Sequence, residues 1–337
     1  MRPERLRELS LLVVLAVAIL IFSLLIDDYL GGSFFNRVTT SVAITAILAA
    51  GQTIVILTRN IDLSVGSIVG VTAYVTGEYL HDHPELTPIL AVGYAVAIGG
   101  GLGLLNGALV AYARVPSIIV TLGTLAIFRT WLINHSDSRT ITSDGLPDWL
   151  LELPGSTVAS IGAWDVRTVV LGAVVLIVIL QLLLGGLTWG RWVYAVGSNP
   201  DAARQAALPV ERVILAAFVA SGALAGLAGF LFLSRFGTIT VSAGNGLELQ
   251  AVAAAVVGGV NIFGGSGTLI GALLGALLVN LLDLSLLRVP GLSEFWRDAV
   301  LGTLILTAVA VDFVLGKRIG RITSRARGRP AAGVPDA

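Results

Sequence analysis

The chain alternates between long apolar runs and short polar connections. The runs occupy about residues 10–26, 41–58, 64–80, 89–111, 117–133, 168–187, 213–234, 248–262, 267–287 and 298–316. Most approach the roughly 20 residues that a helix needs to cross the hydrocarbon of a bilayer. Inside lipid every backbone polar group needs an internal partner, so these runs predict helices. None shows the alternating polarity of a barrel strand. The expected fold class is therefore all-α: a polytopic membrane protein with about ten transmembrane helices. The runs at 64–80, 117–133 and 248–262 are short or interrupted. Residues 1–316 read as one membrane domain, and 317–337 as a polar, basic tail with no apolar pattern.

Composition agrees. Of 337 residues 55% are hydrophobic and 12% charged, about half the ~25% charge of soluble domains. The formal net charge is zero, which gives no basic bias toward nucleic acid. The absence of cysteine excludes disulfides and thiolate metal sites. His81, His83 and His135 fall in polar connections, and the His-x-His pair has no further ligand nearby, so no metal or cofactor is expected. The N-terminal MRPERLRELSLLVVLAVAIL is basic and then apolar, but no small-x-small cleavage site follows, so it reads as an uncleaved first span.

Basic residues suggest orientation. With the N-terminus inside, 14 of the 21 arginines and lysines fall in inner segments. Six of these lie after residue 316, so elsewhere the bias is 8 against 7. Both termini are expected to be cytoplasmic, in a cell inner membrane. Residues 134–167 would then face outside and 188–212 inside.

Glycines recur every four residues at Gly99, Gly103 and Gly107, and at Gly267, Gly271 and Gly275; Gly222 with Gly226 and Gly66 with Gly70 add two pairs. Such spacing lets helix backbones approach closely, as a static seam or as a moving interface. NIDLSVGSIVG (60–70) and NIFGGSGTLIG (261–271) resemble each other at an offset of 201, a hint of an internal repeat.

Little in the sequence points to catalysis. The single lysine, Lys317, precedes Arg318 and so cannot complete a Walker A loop. No nucleophile–base pair, paired acids or metal cluster has usable spacing. Among acids near apolar runs, Asp62 sits where the second and third runs meet. Asp283 lies about one turn inside the ninth run, with Asn280 on the same helical face. This fits a neutral polar solute path or a polar pair at a helix end.

One inner stretch, GSNPDAARQAALPVERV (197–213), has the marks of a short polar helix. Ser198 or Asn199 can cap it, Pro200 and Asp201 suit its first turn, and Pro209 stops it.

Four longer stretches now carry a resemblance: GQTIVILTRNIDLSVGSIVG (51–70), LLNGALVAYARVPSIIVTLGTLAIFR (104–129), GRWVYAVGSNPDAARQAALPVERV (190–213) and AVVGGVNIFGGSGTLIGALLGALL (255–278). Together they resemble the membrane permease subunit of bacterial sugar-type ABC importers, the group that includes ribose, xylose, rhamnose and autoinducer-2 permeases. The wording TRNIDLSVGS is most similar to the rhamnose and autoinducer-2 branches. The resemblance implies a cytoplasmic ATPase subunit, an outer solute-binding protein and a second permease copy or paralogue as partners. It implies that a short helix at about Pro200–Leu208 docks the ATPase, with Asn199, Pro200, Asp201, Ala203, Arg204, Gln205 and Leu208 involved. Members of the group often carry glycine near position 207, where this chain has Ala207. The implied solute path involves Gln52, Asn60, Asp62, Ser64, Asn106, Thr121 and Thr124, besides Asn280 and Asp283. For each of these, hydrogen bonding between helices competes with solute contact. The implied cargo is a monosaccharide or a furanosyl-type signal. The alternative is an ion-coupled secondary transporter of a small polar solute.

Overall fold

The computed structural model describes residues 3–27 and 29–289, together with positions 296, 299, 300, 302, 303, 306 and 307. Most of the run expected at 298–316, and all of the tail at 317–337, lie outside the described residues.

The described chain folds as twelve α-helices with one small hairpin: α1 (Pro3–Leu25), α2 (Gly32–Leu57), α3 (Val65–Asp82), α4 (Pro88–Ala111), α5 (Ser117–His135), α6 (Asp148–Glu152), β1 (Thr157–Ile161), β2 (Trp164–Arg167), α7 (Thr168–Gly186), α8 (Thr188–Ser198), α9 (Pro200–Gln205), α10 (Val210–Phe236), α11 (Leu247–Val257) and α12 (Leu269–Leu286). Seven of them are long and apolar enough to cross a membrane: α1, α2, α4, α5, α7, α10 and α12. The 18-residue α3 is buried along most of its length. The run at 248–262 is a correction to the expected spans. Its helix, α11, has only 11 residues and is about 16 Å long at 1.5 Å per residue, too short to cross alone.

α2 is the hub and is buried almost throughout, whereas α1, α4, α5 and α7 keep much of their apolar surface exposed. Exposure of Leu104, Ile119, Ile127 and Leu182 is the signature of helices solvated by lipid.

The glycine repeats mark the closest crossings. Gly99 and Gly103 of α4 lie against Gly222 and Gly226 of α10, so a Cβ on Gly99 or Gly222 would run into the other helix's backbone. Gly271 and Gly275 of α12 meet Gly258 and Ala254 around the end of α11 in the same way. Dispersion and close backbone contact hold such pairs where lipid supplies no hydrophobic drive.

The connection at 136–167 is folded. Its antiparallel hairpin pairs Ile161 with Trp164 around Gly162, whose φ is +64°. Trp164 Nε1 donates to Leu30 O at 3.0 Å, and Asn36 Nδ2 donates to Asp165 Oδ2 at 2.9 Å, which seats the hairpin on the start of α2. Further along, Ile141 and Ile239 exchange backbone hydrogen bonds of 3.0 and 2.9 Å.

Residues 237–246, which follow α10, turn back into the bundle. Gly244 packs against the Gly66 carbonyl, in the first turn of α3. Measured along α3, that is about 24 Å from the helix's far end at 1.5 Å per residue. Arg129 Nη1 holds the segment by donating to Val241 O at 2.8 Å and Ala243 O at 2.6 Å. The segment is irregular backbone inside a bundle of apolar helices, which is tolerated where protein buries it or a polar cavity solvates it.

Candidate translocation site and docking helix

The polar stretch after α7 forms two helices. α8 is amphipathic, burying Gly190, Val193, Val196 and Gly197. Asn199 then interrupts the helix with extended backbone. Its Oδ1 accepts from the amides of Asp201 at 3.1 Å and Ala202 at 3.0 Å, capping α9. Pro200 occupies the first turn, where its missing N–H costs nothing.

The helix ends earlier than Leu208, and Pro209 is not what stops it. The Ala207 amide donates to Arg204 O at 2.9 Å and the Leu208 amide to Ala203 O at 3.0 Å, the paired bonds of a Schellman motif. This puts Ala207 at φ +57°, the left-handed position that glycine occupies most easily. Arg204 lies 3.4 Å from Asp201 and 3.5 Å from Glu211. Asp201, Arg204 and Gln205 are exposed; Ala203, expected on the docking face, is buried against the bundle.

The residues singled out for the solute path separate into two groups. Most of the first group meets around the connection between α2 and α3. Asn106 Nδ2 donates to Ser64 Oγ at 2.7 Å, and Ser64 Oγ donates to Asp62 Oδ1 at 2.6 Å. Ser221 Oγ of α10 donates to Asp62 Oδ2 at 3.4 Å. The Gln52 amide, oriented to fit its surroundings, donates to Asp62 O at 3.0 Å and accepts from Asp62 N at 3.2 Å. Ser117 Oγ accepts from Ile61 N at 3.2 Å, and Thr121 Oγ1 donates to Ile61 O at 3.3 Å. Gln52, Asp62, Ser64, Asn106 and Thr121 are all fully buried. This knot therefore ties α2, α3, α4, α5 and α10 together through one short connection. Asn60 folds back on Thr58 beside it, and Thr124 extends the polar line one turn along α5.

Asn280 and Asp283 lie elsewhere, lining a cavity of about 460 Å³ between α2, α10, α11 and α12. That volume lies in the ordinary range for a small-molecule site. Thr45 Oγ1 lies 3.4 Å from Asn280 Oδ1. Ser41, Ser242, Asn245 and Gln250 add polar groups, and apolar walls come from Ile44, Phe232 and Leu284. The inward-turned 237–246 segment forms one side. The Arg288 guanidinium sits 4.8 Å over the Phe34 ring, and α12 stays helical through Asp283.

Several of these participants carried no signal in the sequence. Nothing in the spacing of Ser117, Ser221, Thr45 and Gln250 sets them apart from the other polar residues in or beside their apolar runs.

Seven helices of span length, packed around an inward-turned segment and a cavity with a partly polar lining, fit a multi-pass membrane permease. The chain belongs to the family described as branched-chain amino acid transport system / permease component, whose model matches residues 34–309. It is 38% identical over 307 residues to the autoinducer 2 import system permease protein LsrC of Yersinia enterocolitica, covering 90% of this chain and 81% of that one. It is 37% identical over 308 residues to the protein of that name from Shigella flexneri, covering 91% and 86%. The corresponding protein of Escherichia coli K12 is 36% identical over 308 residues, with the same coverage. No solved structure matches the chain.

Proposed function

We propose that this chain is the membrane-spanning subunit of an ATP-driven ABC importer. The cargo is a small, neutral, polar solute of the autoinducer-2 type, a furanosyl compound, or a related monosaccharide such as rhamnose. A separate cytoplasmic ATPase hydrolyses the nucleotide, an outer solute-binding protein delivers the cargo, and a second permease copy or paralogue completes the pore. The names of the relatives support the cargo class. The observation that carries the reading is α9. A six-residue helix capped by Asn199 and closed by a Schellman motif is a rigid knob, too short to span and too ordered for a loose connector. A chain whose only lysine is Lys317 needs a partner to supply nucleotide energy, and such a knob is a means of receiving it.

In this reading both termini and α9 are cytoplasmic. Asp201, Arg204 and Gln205 contact the ATPase, while Asn199, Pro200 and Ala203 shape the helix and Leu208 closes its end. The solute occupies the cavity beside Asn280 and Asp283 and leaves past the Asp62 knot when the helices around it separate.

Proteoliposomes holding the permease, its ATPase and its binding protein test the proposal. Uptake of an autoinducer-2-type furanosyl compound is expected to require ATP and to exceed uptake of rhamnose or ribose. Uptake driven by a sodium or proton gradient, with no ATPase present, would contradict it and favour a secondary transporter.

A further inference from the structure

Two helix C-termini converge on Arg59. The first is that of α2 itself. Arg59 N donates to Ile56 O at 2.8 Å and Asn60 N to Val55 O at 3.3 Å, a Schellman end that forces Arg59 to φ +66°. Glycine would hold this backbone with less strain. Arginine there keeps a side chain at a position that disfavours one, and strained residues of this sort persist where the surroundings over-determine them.

The second terminus is that of α8. Arg59 Nε donates to Gly197 O at 2.5 Å and Nη2 to Ser198 O at 2.6 Å. These are the last two carbonyls of α8, where a cation is favoured by the helix dipole and by the unpaired acceptors. The guanidinium fork suits two neighbouring acceptors as an ammonium would not. The surrounding backbone leaves no slack. A Cβ on Gly197 would strike the Leu57 carbonyl, and one on Gly264 would strike Arg59 Cγ. Gly265 N donates to Leu57 O at 3.1 Å, closing the contact from a third segment.

What lies on either side gives the contact its meaning. The residue after Ser198 is Asn199, the cap of α9. The residues after Arg59 enter the knot, where α5 holds Ile61, α10 holds Asp62 and α4 holds Ser64. Close-packed backbone of this kind transmits displacement rather than absorbing it.

We propose that Arg59 is the positioning residue that carries movement of α9 into the knot, and so links the ATPase to the helices around the solute path; this rests on the importer reading above. Its test measures ATP hydrolysis and solute uptake in the same proteoliposomes, holding the full complex with wild type, Arg59→Ala or Arg59→Lys. Arg59→Ala is expected to keep the ATPase bound and hydrolysing while solute carried per ATP falls about tenfold, the scale of a typical coupling energy. Arg59→Lys keeps the cation without the fork and is expected to fall between the two. Unchanged solute per ATP in Arg59→Ala overturns the proposal, as does a proportional loss of uptake, hydrolysis and bound ATPase, which would mark a role in docking or folding alone. Should Arg59→Ala fail to fold, an unchanged ratio in Arg59→Lys overturns it. A wild-type complex with no ATP-driven uptake is a different result, because it defeats the importer reading itself.

Discussion

The side-chain amide of Asn106 donates to Ser64 Oγ at 2.7 Å, joining α4 to the start of α3 across 42 residues of sequence. Ser64 passes the bond on to Asp62, so this contact is one link in a buried chain rather than an isolated pair. Replacing Asn106 with leucine removes the donor and buries an apolar group against Ser64 and Asp62. The expected cost is about 1–3 kcal/mol, read as a lowered thermal midpoint in detergent. Unchanged stability with altered solute preference would instead make Asn106 a path residue.

The α4–α10 crossing is less tolerant. Gly99 and Gly222 face each other with no room for a Cβ. Gly99→Ala is therefore expected to push the helices apart and cost about 1–3 kcal/mol as an overpacking change. Gly101, where a Cβ would meet nothing within 4 Å, is the control, and Gly101→Ala should match or slightly exceed wild type. Yield and melting of the two variants side by side check the contrast.

Two changes in α9 are expected to act in opposite directions. Asn199→Ala removes the side chain that caps two amides and should destabilise α9 by about 1 kcal/mol. Ala207→Gly relieves the left-handed φ and should stabilise the turn by about the same amount. Hydrogen exchange over residues 200–208 reports both. For ATPase contact, Arg204→Gln is a cleaner probe than Arg204→Glu, because a glutamate would also face Asp201 and Glu211. Weaker co-purification of the ATPase with Arg204→Gln is the expected outcome.

The cavity can be probed from two helices. Gln250→Leu and Asn280→Leu each remove polar groups from its wall. Each is expected to raise the solute concentration for half-maximal uptake about tenfold, the loss of one good hydrogen bond. ATP hydrolysis in the absence of solute should stay unchanged. Altered hydrolysis with unchanged solute dependence would take the cavity off the path.

Much of the architecture was legible in the sequence because lipid demands long apolar helices, and seven such runs are helices of span length. The glycine periods correctly marked the α4–α10 and α11–α12 crossings. The short helix α9 was legible through Asn199 and Pro200, but its end was misplaced: Schellman bonds are backbone bonds, which Ala207 does not announce as glycine would. The hairpin at 157–167 was missed, although Gly162 between Ile161 and Trp164 was an available turn signal. The inward turn of 237–246 was illegible because its depth is set by Gly66 and Arg129, both more than 100 residues away in sequence. The same holds for the knot, where Ser221 reaches Asp62 across 159 residues.

If energy enters the membrane domain through α9, loose chain cannot replace that helix. The most direct measurement replaces residues 200–208 with a flexible Gly-Ser linker of equal length and follows ATP hydrolysis and solute uptake together in proteoliposomes. The expected result is that the ATPase no longer co-purifies and that ATP-driven uptake disappears, while the membrane helices still fold. Accumulation of solute at the wild-type rate by that variant would contradict it.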